Sequence, residues 1–160
     1  MNTLNALVTY FSASGVTAAV AMRLSEGIAA ELYEIKPETP YTDDDLNWMD
    51  RNARSTVEMK DDTCRPPLHD HNAPIAEHNI IFIGFPIWWY REPSIIDSFL
   101  DAYDFTGKTV IPFATSGGSG IGRAQNRIAE LSPATVLPGK LLPPKVSERE
   151  LKDWVRSLPI

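Results

Sequence analysis

Short apolar runs alternate with amphipathic stretches along the chain. Residues 5–11 are apolar on both faces of a predicted strand, as in a sheet that is covered on both sides. Residues 17–30 then place apolar side chains at helical spacing. The pattern continues with strands over 32–35, 79–85, 109–115 and 135–141, and with helices over 93–103 and 121–131.

In the C-terminal part of the chain, the apolar pattern predicts the last strand weakly and the last helix clearly. Pro138 and Gly139 interrupt the strand over 135–141, so we place it at the edge of the sheet. Ser147 and Glu150 have the spacing of a capping box and predict the start of the last helix. That helix is predicted to bury Leu151, Trp154, Val155 and Leu158.

The segment over 36–78 is long and irregular, which is unusual unless it carries function or a short helix of its own. We expect a helix over 43–60, with Trp48 and Met49 as its inward anchors. Arg51, Arg54 and Glu58 would lie near one face of this helix. A solvated face is favoured slightly over a lid that covers a ligand.

The alternation of strands and helices predicts an α/β fold. We expect one domain over 1–160, built as a three-layer, doubly wound parallel sheet with helices on both faces. In such folds, ligands bind outside the carboxyl ends of the strands. The loops that follow the first, third and fourth predicted strands are therefore the places to look for a site.

Composition and charge exclude some classes of binding partner. The net charge of −6 argues against a nucleic-acid-binding protein. No run approaches the roughly 20 apolar residues that cross a bilayer, and the N-terminal residues do not resemble a secretory signal. The single cysteine, Cys64, cannot form an internal disulfide. We expect a cytoplasmic protein without a nucleic-acid or membrane partner.

The loop after the first predicted strand is rich in hydroxyl groups. Ser12, Ser14 and Thr17 surround Gly15, and a helix begins there. Hydroxyl donors, the unpaired N–H groups of a helix start and the positive end of its dipole together form a seat for a phosphate. An ordinary N-cap that binds nothing explains the same residues equally well.

Two further loops carry ligand-binding features. Trp88, Trp89 and Tyr90 follow a strand that should end at the surface, and a stacked flat aromatic ligand would explain them. An aromatic patch in the core or at an interface is the alternative. Residues 116–120 include three glycines, which let a backbone approach a ligand closely.

Three segments, YFSASGVT, GFPIWW and PFATSGGSGIG, together resemble the flavodoxin-like family over nearly the whole chain. The resemblance implies a five-stranded parallel sheet in the order 2-1-3-4-5 with noncovalently bound flavin mononucleotide (FMN). It implies three groups of FMN-binding residues: Ser12, Ala13, Ser14, Gly15, Val16 and Thr17 at the phosphate; Pro86, Ile87, Trp88 and Trp89 against the isoalloxazine; and Ser116, Gly117, Gly118, Ser119 and Gly120 at its polar edge.

This chain departs from the family pattern at two positions, one that affects FMN binding and one that affects its reduction. The family commonly has Asn where this chain has Val16, so one polar group at the phosphate loop is missing. The family often has glycine where this chain has Tyr90, and in flavodoxins a peptide that flips there favours one-electron reduction. With Tyr90 in place, and with Arg91 directed at the ring, we expect two-electron chemistry.

The leading functional hypothesis is a flavin-dependent redox protein, either an electron carrier or a small reductase. Its partner would be a redox protein or a small-molecule electron donor or acceptor, and no residue of the chain need act as a covalent catalyst. His69, His71 and His78 lie in or beside the long segment, and we expect them to be solvated and to bind no metal. The alternative is a flavodoxin-fold binding or regulatory module without a cofactor.

Overall fold

The computed structural model describes residues 5–116 and 120–160, which form a parallel sheet with helices on both faces. Its main strands lie side by side in the order β2-β1-β3-β4-β5, and β6 also pairs with β4. The strands are β1 (Ala6–Tyr10), β2 (Glu31–Glu34), β3 (Ile80–Pro86), β4 (Thr109–Thr115), β5 (Thr135–Val136) and β6 (Lys140–Leu141). The predicted α/β fold and strand order are confirmed.

Two apolar cores, one on each face of the sheet, produce the three layers. The helices are α1 (Val16–Gly27), α2 (Arg54–Met59), α3 (Ser94–Ala102), α4 (Ala124–Leu131) and α5 (Glu148–Ser157). Along β1, Leu7 faces the core formed with α3 and α4, whereas Val8 faces the core formed with α1 and α5. This alternation explains why the strand is apolar on both faces. None of the helices within the described ranges is long and apolar enough to cross a membrane.

The expected helix over 43–60 is wrong for most of its length. Residues 43–53 form turns, and Trp48 and Met49 are 70% and 74% exposed, so neither is an inward anchor. The cause is local, since Asp45, Asn47 and Asp50 side chains accept backbone N–H groups within three residues along the chain. Such bonds offer the backbone an alternative to the helix.

The short helix α2 that does form contains Arg54 and Glu58 but not Arg51, which is exposed, and its face is unlike the solvated one we favoured. Arg54 and Glu58 form an ion pair at 3.1 Å, with side chains only 22% and 13% exposed. The Arg54 guanidinium carbon lies 3.9 Å from the ring centre of Tyr41, and the Tyr41 hydroxyl donates to Glu58. This face of α2 therefore packs against the residues that follow β2.

Most of the predictions for the C-terminal part of the chain are confirmed. The predicted edge strand is two separate pairs of residues, β5 and β6, because Pro138 and Gly139 interrupt it. Ser147 caps α5, and its hydroxyl oxygen accepts the Glu150 N–H at 3.1 Å. α5 then buries Leu151, Trp154 and Val155 as expected, whereas Leu158 directly follows the helix and is only half-buried.

The register of the sheet brings three loops to one edge. Tyr10, the last residue of β1, pairs with Gly84 of β3, and Pro86 at the end of β3 pairs with Thr115 at the end of β4. The chain segments that leave β1, β3 and β4 are therefore neighbours.

Candidate functional site

The loop between β1 and α1 presents a helix N-terminus at this edge. Gly15 precedes the helix with a φ of 92°, a left-handed conformation that L-residues rarely adopt. Its N–H donates to the Ser12 hydroxyl oxygen at 3.1 Å. Ser14 is exposed, and the first turn of α1 carries no acidic residue. The first N–H groups of the helix thus face no negative side chain from their own turn, which suits an anionic group.

Thr17 has a different position from the other hydroxyl residues of this loop. It is buried, and its Oγ1 lies 2.7 Å from Oγ1 of Thr115, the last residue of β4. This bond joins the start of α1 to the neighbouring strand. Because only one hydroxyl donates within the pair, the accepting hydroxyl keeps its own proton for a second hydrogen bond.

The loop after β3 is a tight turn that projects two aromatic side chains. Trp88 and Arg91 exchange both backbone hydrogen bonds, at 3.0 and 3.1 Å. The two residues between them, Trp89 and Tyr90, have φ values of 47° and 66°. Positive φ at both central residues is typical of a type I′ turn, which normally contains Asn or Gly. Two bulky residues therefore occupy a strained backbone.

Contacts from residues outside the turn also hold it in place. The Tyr90 carbonyl accepts the Arg123 N–H at 2.8 Å, and a Cβ added to Gly122 would lie 2.2 Å from that carbonyl oxygen. Rotating the central peptide of a type I′ turn gives a type II′ turn, whose first central residue is nearly always glycine. Here that position is Trp89, so the requirement for glycine lies at Trp89 rather than at Tyr90.

Trp88 anchors the aromatic loop to the rest of the site. Its ring makes edge-to-face contacts with Phe11 and Tyr41, at centroid distances of 5.6 and 5.3 Å. Phe11 follows β1 and Tyr41 follows β2. Trp88 is therefore held by residues from two neighbouring loops.

A cavity of about 560 Å³ lies between these loops. It is lined by Ala13, Ser14, Leu46, Trp48, Ser55, Pro86, Ile87, Trp88, Trp89 and Tyr90. Six of the residues that the sequence predicted thus share one cavity, namely Ala13, Ser14 and the four residues 86–89. The wall formed by Leu46, Trp48 and Ser55 was missed, because Trp48 was assigned to the core.

The other predicted residues lie around this cavity or beyond the described ranges. Ser12 and Ala13 line a second cavity of about 430 Å³ beside Glu34 and Lys36. Gly15 and Val16 are exposed at the start of α1. Ser116 directly follows β4, and Gly120 is exposed, whereas Gly117, Gly118 and Ser119 lie outside the described residues.

A buried cluster of charged residues lies directly behind the aromatic turn. Arg91, Glu92 and Asp97 are fully buried, and Arg127 reaches both carboxyl groups, at 3.0 Å from Glu92 and 2.5 Å from Asp97. Asp62 lies 3.5 Å from Arg91 at the surface end. Burial, together with the hydrogen bond to Asp97, raises the pKa of Glu92 to about 8.

The Arg91 side chain does not have the position that we expected from the sequence, where it was directed at the ring of the ligand. Its guanidinium donates to the Glu92 carbonyl at 2.9 Å and to the Met59 carbonyl at 3.3 Å, and Asp97 lies 3.6 Å away. The side chain points into the cluster and does not reach the cavity lining. Its guanidinium lies beside the carboxyl groups of Asp97 and Asp62, and we no longer expect it to act on a ring in the cavity.

A parallel sheet in this strand order, with a cavity at its carboxyl edge, defines the doubly wound α/β class. The flavodoxin family model matches residues 5–158, and this chain belongs to that family. A candidate flavoprotein from Bacteroides uniformis ATCC 8492 is 42% identical over 98% of this chain and 100% of its own, with a TM-score of 0.91.

Two other solved structures are also similar to this chain. A candidate flavoprotein from Bacteroides eggerthii DSM 20697 is 39% identical over 97% of this chain and 98% of its own, with a TM-score of 0.92. A flavoprotein from Lactobacillus acidophilus NCFM, solved in complex with FMN, is 22% identical and shares the fold, with a TM-score of 0.70 over 94% of this chain and 97% of its own. No curated protein matches this chain.

Proposed function

We propose that this protein binds FMN at the carboxyl edge of its sheet and acts as a redox protein, a carrier or a small reductase. The observation that supports this most directly is the 560 Å³ cavity, because its lining divides into aromatic side chains and a hydroxyl group, that of Ser14, just before α1. An apolar ring system joined to an anionic group matches that division. Membership in the flavodoxin family supports the same ligand.

The residues of the site fit the two ends of FMN. The N–H groups at the start of α1, with the Ser12 and Ser14 hydroxyls, would hold the phosphate. Pro86, Ile87, Trp88 and Trp89 would pack against the isoalloxazine and exclude water from it. When bound, FMN supplies the redox chemistry, while these residues set its orientation and the polarity around it.

The proposed partner is a redox protein or a small-molecule electron donor or acceptor. Trp89 and Tyr90 are 37% and 69% exposed and line the cavity, so they would lie where a partner approaches the ring. A family member that has lost its cofactor is the second candidate. Val16 favours it, since its exposed side chain stands at the first residue of α1 where the family commonly has Asn.

A titration of the purified full-length apoprotein distinguishes the two functions. We expect FMN to bind with one-to-one stoichiometry and to give the absorption bands of a bound flavin. A colourless protein that ignores added FMN would contradict the redox function and support the cofactor-free module.

The phosphate seat is tested by comparing Ser14→Ala with wild type toward two ligands. Loss of one donor to a charged group costs about 1.5–3 kcal/mol, so FMN affinity should fall at least tenfold. Riboflavin lacks the phosphate, and its affinity should change by less than about twofold. Equal losses for both ligands would mean that the phosphate does not contact Ser14.

A further inference from the structure

The wall of the cavity formed by α2 carries a buried polar group with no partner. Ser55, the second residue of α2, is 2% exposed and lines the 560 Å³ cavity beside Leu46 and Trp48. Among residues 5–116 and 120–160, its hydroxyl finds no hydrogen-bond partner. A buried donor without an acceptor is costly, so native proteins nearly always satisfy such groups. The hydroxyl therefore retains its hydrogen-bonding capacity, in a residue that lines the cavity.

Only the side chain of Ser55 is available in this way. Its backbone N–H already donates to the Asp45 carbonyl at 3.0 Å. The neighbouring side chains in the wall, Leu46 and Trp48, are apolar, unlike the hydroxyl loop at the start of α1. The surroundings of Ser55 thus suit the ring end of a ligand rather than a phosphate.

The helix that carries Ser55 is fixed at both ends. At its start, Arg54 Nη1 donates to the Thr39 carbonyl at 2.7 Å, and the Arg54–Glu58 pair packs on Tyr41. At its end, Arg91 Nη2 donates to the Met59 carbonyl at 3.3 Å. Arg91 also closes the aromatic turn, so α2 and the turn are tied together through one buried side chain. A hydroxyl held this way is prepared for a ligand before the ligand arrives.

We propose that the Ser55 hydroxyl donates a hydrogen bond to an acceptor atom of the bound flavin ring system. This inference rests on the proposed function and adds a further contact wall, formed by α2, to the three loops that the family resemblance implies. Flavin rings carry carbonyl oxygens and imine nitrogens along one edge, and a neutral hydroxyl is a suitable donor to either. Ser55 is accordingly a residue that selects and orients the ring.

The next residue supplies a matched control. Thr56 is also buried, at 4% exposed, and its hydroxyl also lacks a partner among the described residues. It is not among the residues that line the cavity. Ser55→Ala and Thr56→Val therefore each remove one buried, unpaired hydroxyl from the same helix, but only the first removes it from the cavity.

The experiment titrates the full-length apoprotein and both variants with FMN and with riboflavin, and records the visible spectrum of each complex. We expect Ser55→Ala to weaken both ligands by the same factor, about fivefold to tenfold, as the loss of one neutral hydrogen bond predicts. We also expect its bound-flavin absorption to shift. Thr56→Val should stay within about twofold of wild type for both ligands.

The other outcomes distinguish a failure of the Ser55 inference from a failure of the proposed function. If wild type binds FMN and Ser55→Ala binds both ligands equally well with an unchanged spectrum, solvent satisfies the hydroxyl and the inference is overturned while the proposed function stands. If Ser55→Ala weakens FMN alone, the assignment to the ring is overturned. If wild type binds neither ligand, the proposed function fails together with the inference. Circular dichroism of each variant shows whether it is folded.

Discussion

At the scale of single residues, Glu92 is the carboxyl group in the most unusual position. It is fully buried beside a second carboxyl group, Asp97, and Arg127 bridges the two. Burial disfavours the charged form, and the neighbouring Asp97 carboxyl group raises the pKa of Glu92 further. The arginines oppose this effect only in part, since the pKa of Glu92 stays raised to about 8.

The raised pKa predicts how stability depends on pH. The folded protein binds a proton at Glu92 that the unfolded chain releases above its ordinary pKa of 4.5. The stabilising contribution is therefore complete below that value and is lost as the pH rises through about 8. Urea unfolding at pH 6 and pH 9 should show that wild type loses at least about 1 kcal/mol more over this interval than Glu92→Gln.

Glutamine is the matched replacement because it keeps the shape of the neutral carboxyl group and has no proton to lose. Equal losses in wild type and in Glu92→Gln would show that the arginines keep Glu92 ionised at pH 6.

The sequence gives no sign that this cluster is buried. Arg91 and Glu92 directly follow three exposed or half-buried aromatic residues, and their partners Asp62 and Arg127 lie far away along the chain. Charged residues are rarely buried unless paired, and the pairing exists only after β3, α3 and α4 have packed. The hydroxyl loop was easier to predict, because a strand end, small polar residues and a helix start follow one another directly.

At the scale of elements, the turn over 88–91 determines how freely the backbone can respond to a ligand. Its two hydrogen bonds, the bond from Arg123 and the close approach of Gly122 hold the residues around the central peptide in place. A turn that rotated to offer a new hydrogen bond after the first electron would separate the two reduction steps of a flavin. This turn cannot do so without placing Trp89 in a conformation reserved for glycine.

We therefore expect electrons to be taken up in pairs. In a potentiometric titration of the FMN complex, wild type should give one wave with a Nernst slope of about 30 mV, the value for two electrons. Trp89→Gly should give two steps with slopes of about 59 mV. Trp89→Phe removes the indole but keeps a side chain, and it should resemble wild type. Two separate waves in wild type would contradict the fixed turn.

The elements also show where sequence patterns succeed and where they fail. Strands β1, β3 and β4 are apolar on both faces, and each lies within about two residues of its predicted limits. The helix predicted over 43–60 does not form over 43–53, because the side chains of Asp45, Asn47 and Asp50 bond to nearby backbone groups. Hydrophobic spacing does not reveal such bonds. This error also hid the wall that contains Ser55, since Trp48, which lies in the same wall, was predicted to be an inward anchor.

At the scale of the whole molecule, the cavity is assembled from three separate stretches of chain. They are the loop after β1, the segment from Leu46 to Ser55, and the turn after β3. A ligand that contacts all three would couple regions that are far apart in the sequence. The site should therefore respond to a ligand as one unit.

Hydrogen–deuterium exchange of the full chain tests this expectation. At an FMN concentration one hundred times its Kd, binding should stabilise the protein by about 2.7 kcal/mol and raise its melting temperature. Amide protection should increase over residues 13–18, 44–59 and 86–91 together. Protection confined to the first and third of these segments would show that α2 does not contact the ligand.

The divided strand at one border of the sheet has a consequence for how copies of this protein meet. Between Thr135 and Leu141 the border presents two pairs of strand residues separated by a proline, and the opposite border, β2, begins and ends with glutamate. Backbone pairing between neighbouring molecules needs a longer, flat and uncharged edge. Both borders thus discourage the growth of intermolecular sheets, which is the first step of edge-to-edge aggregation.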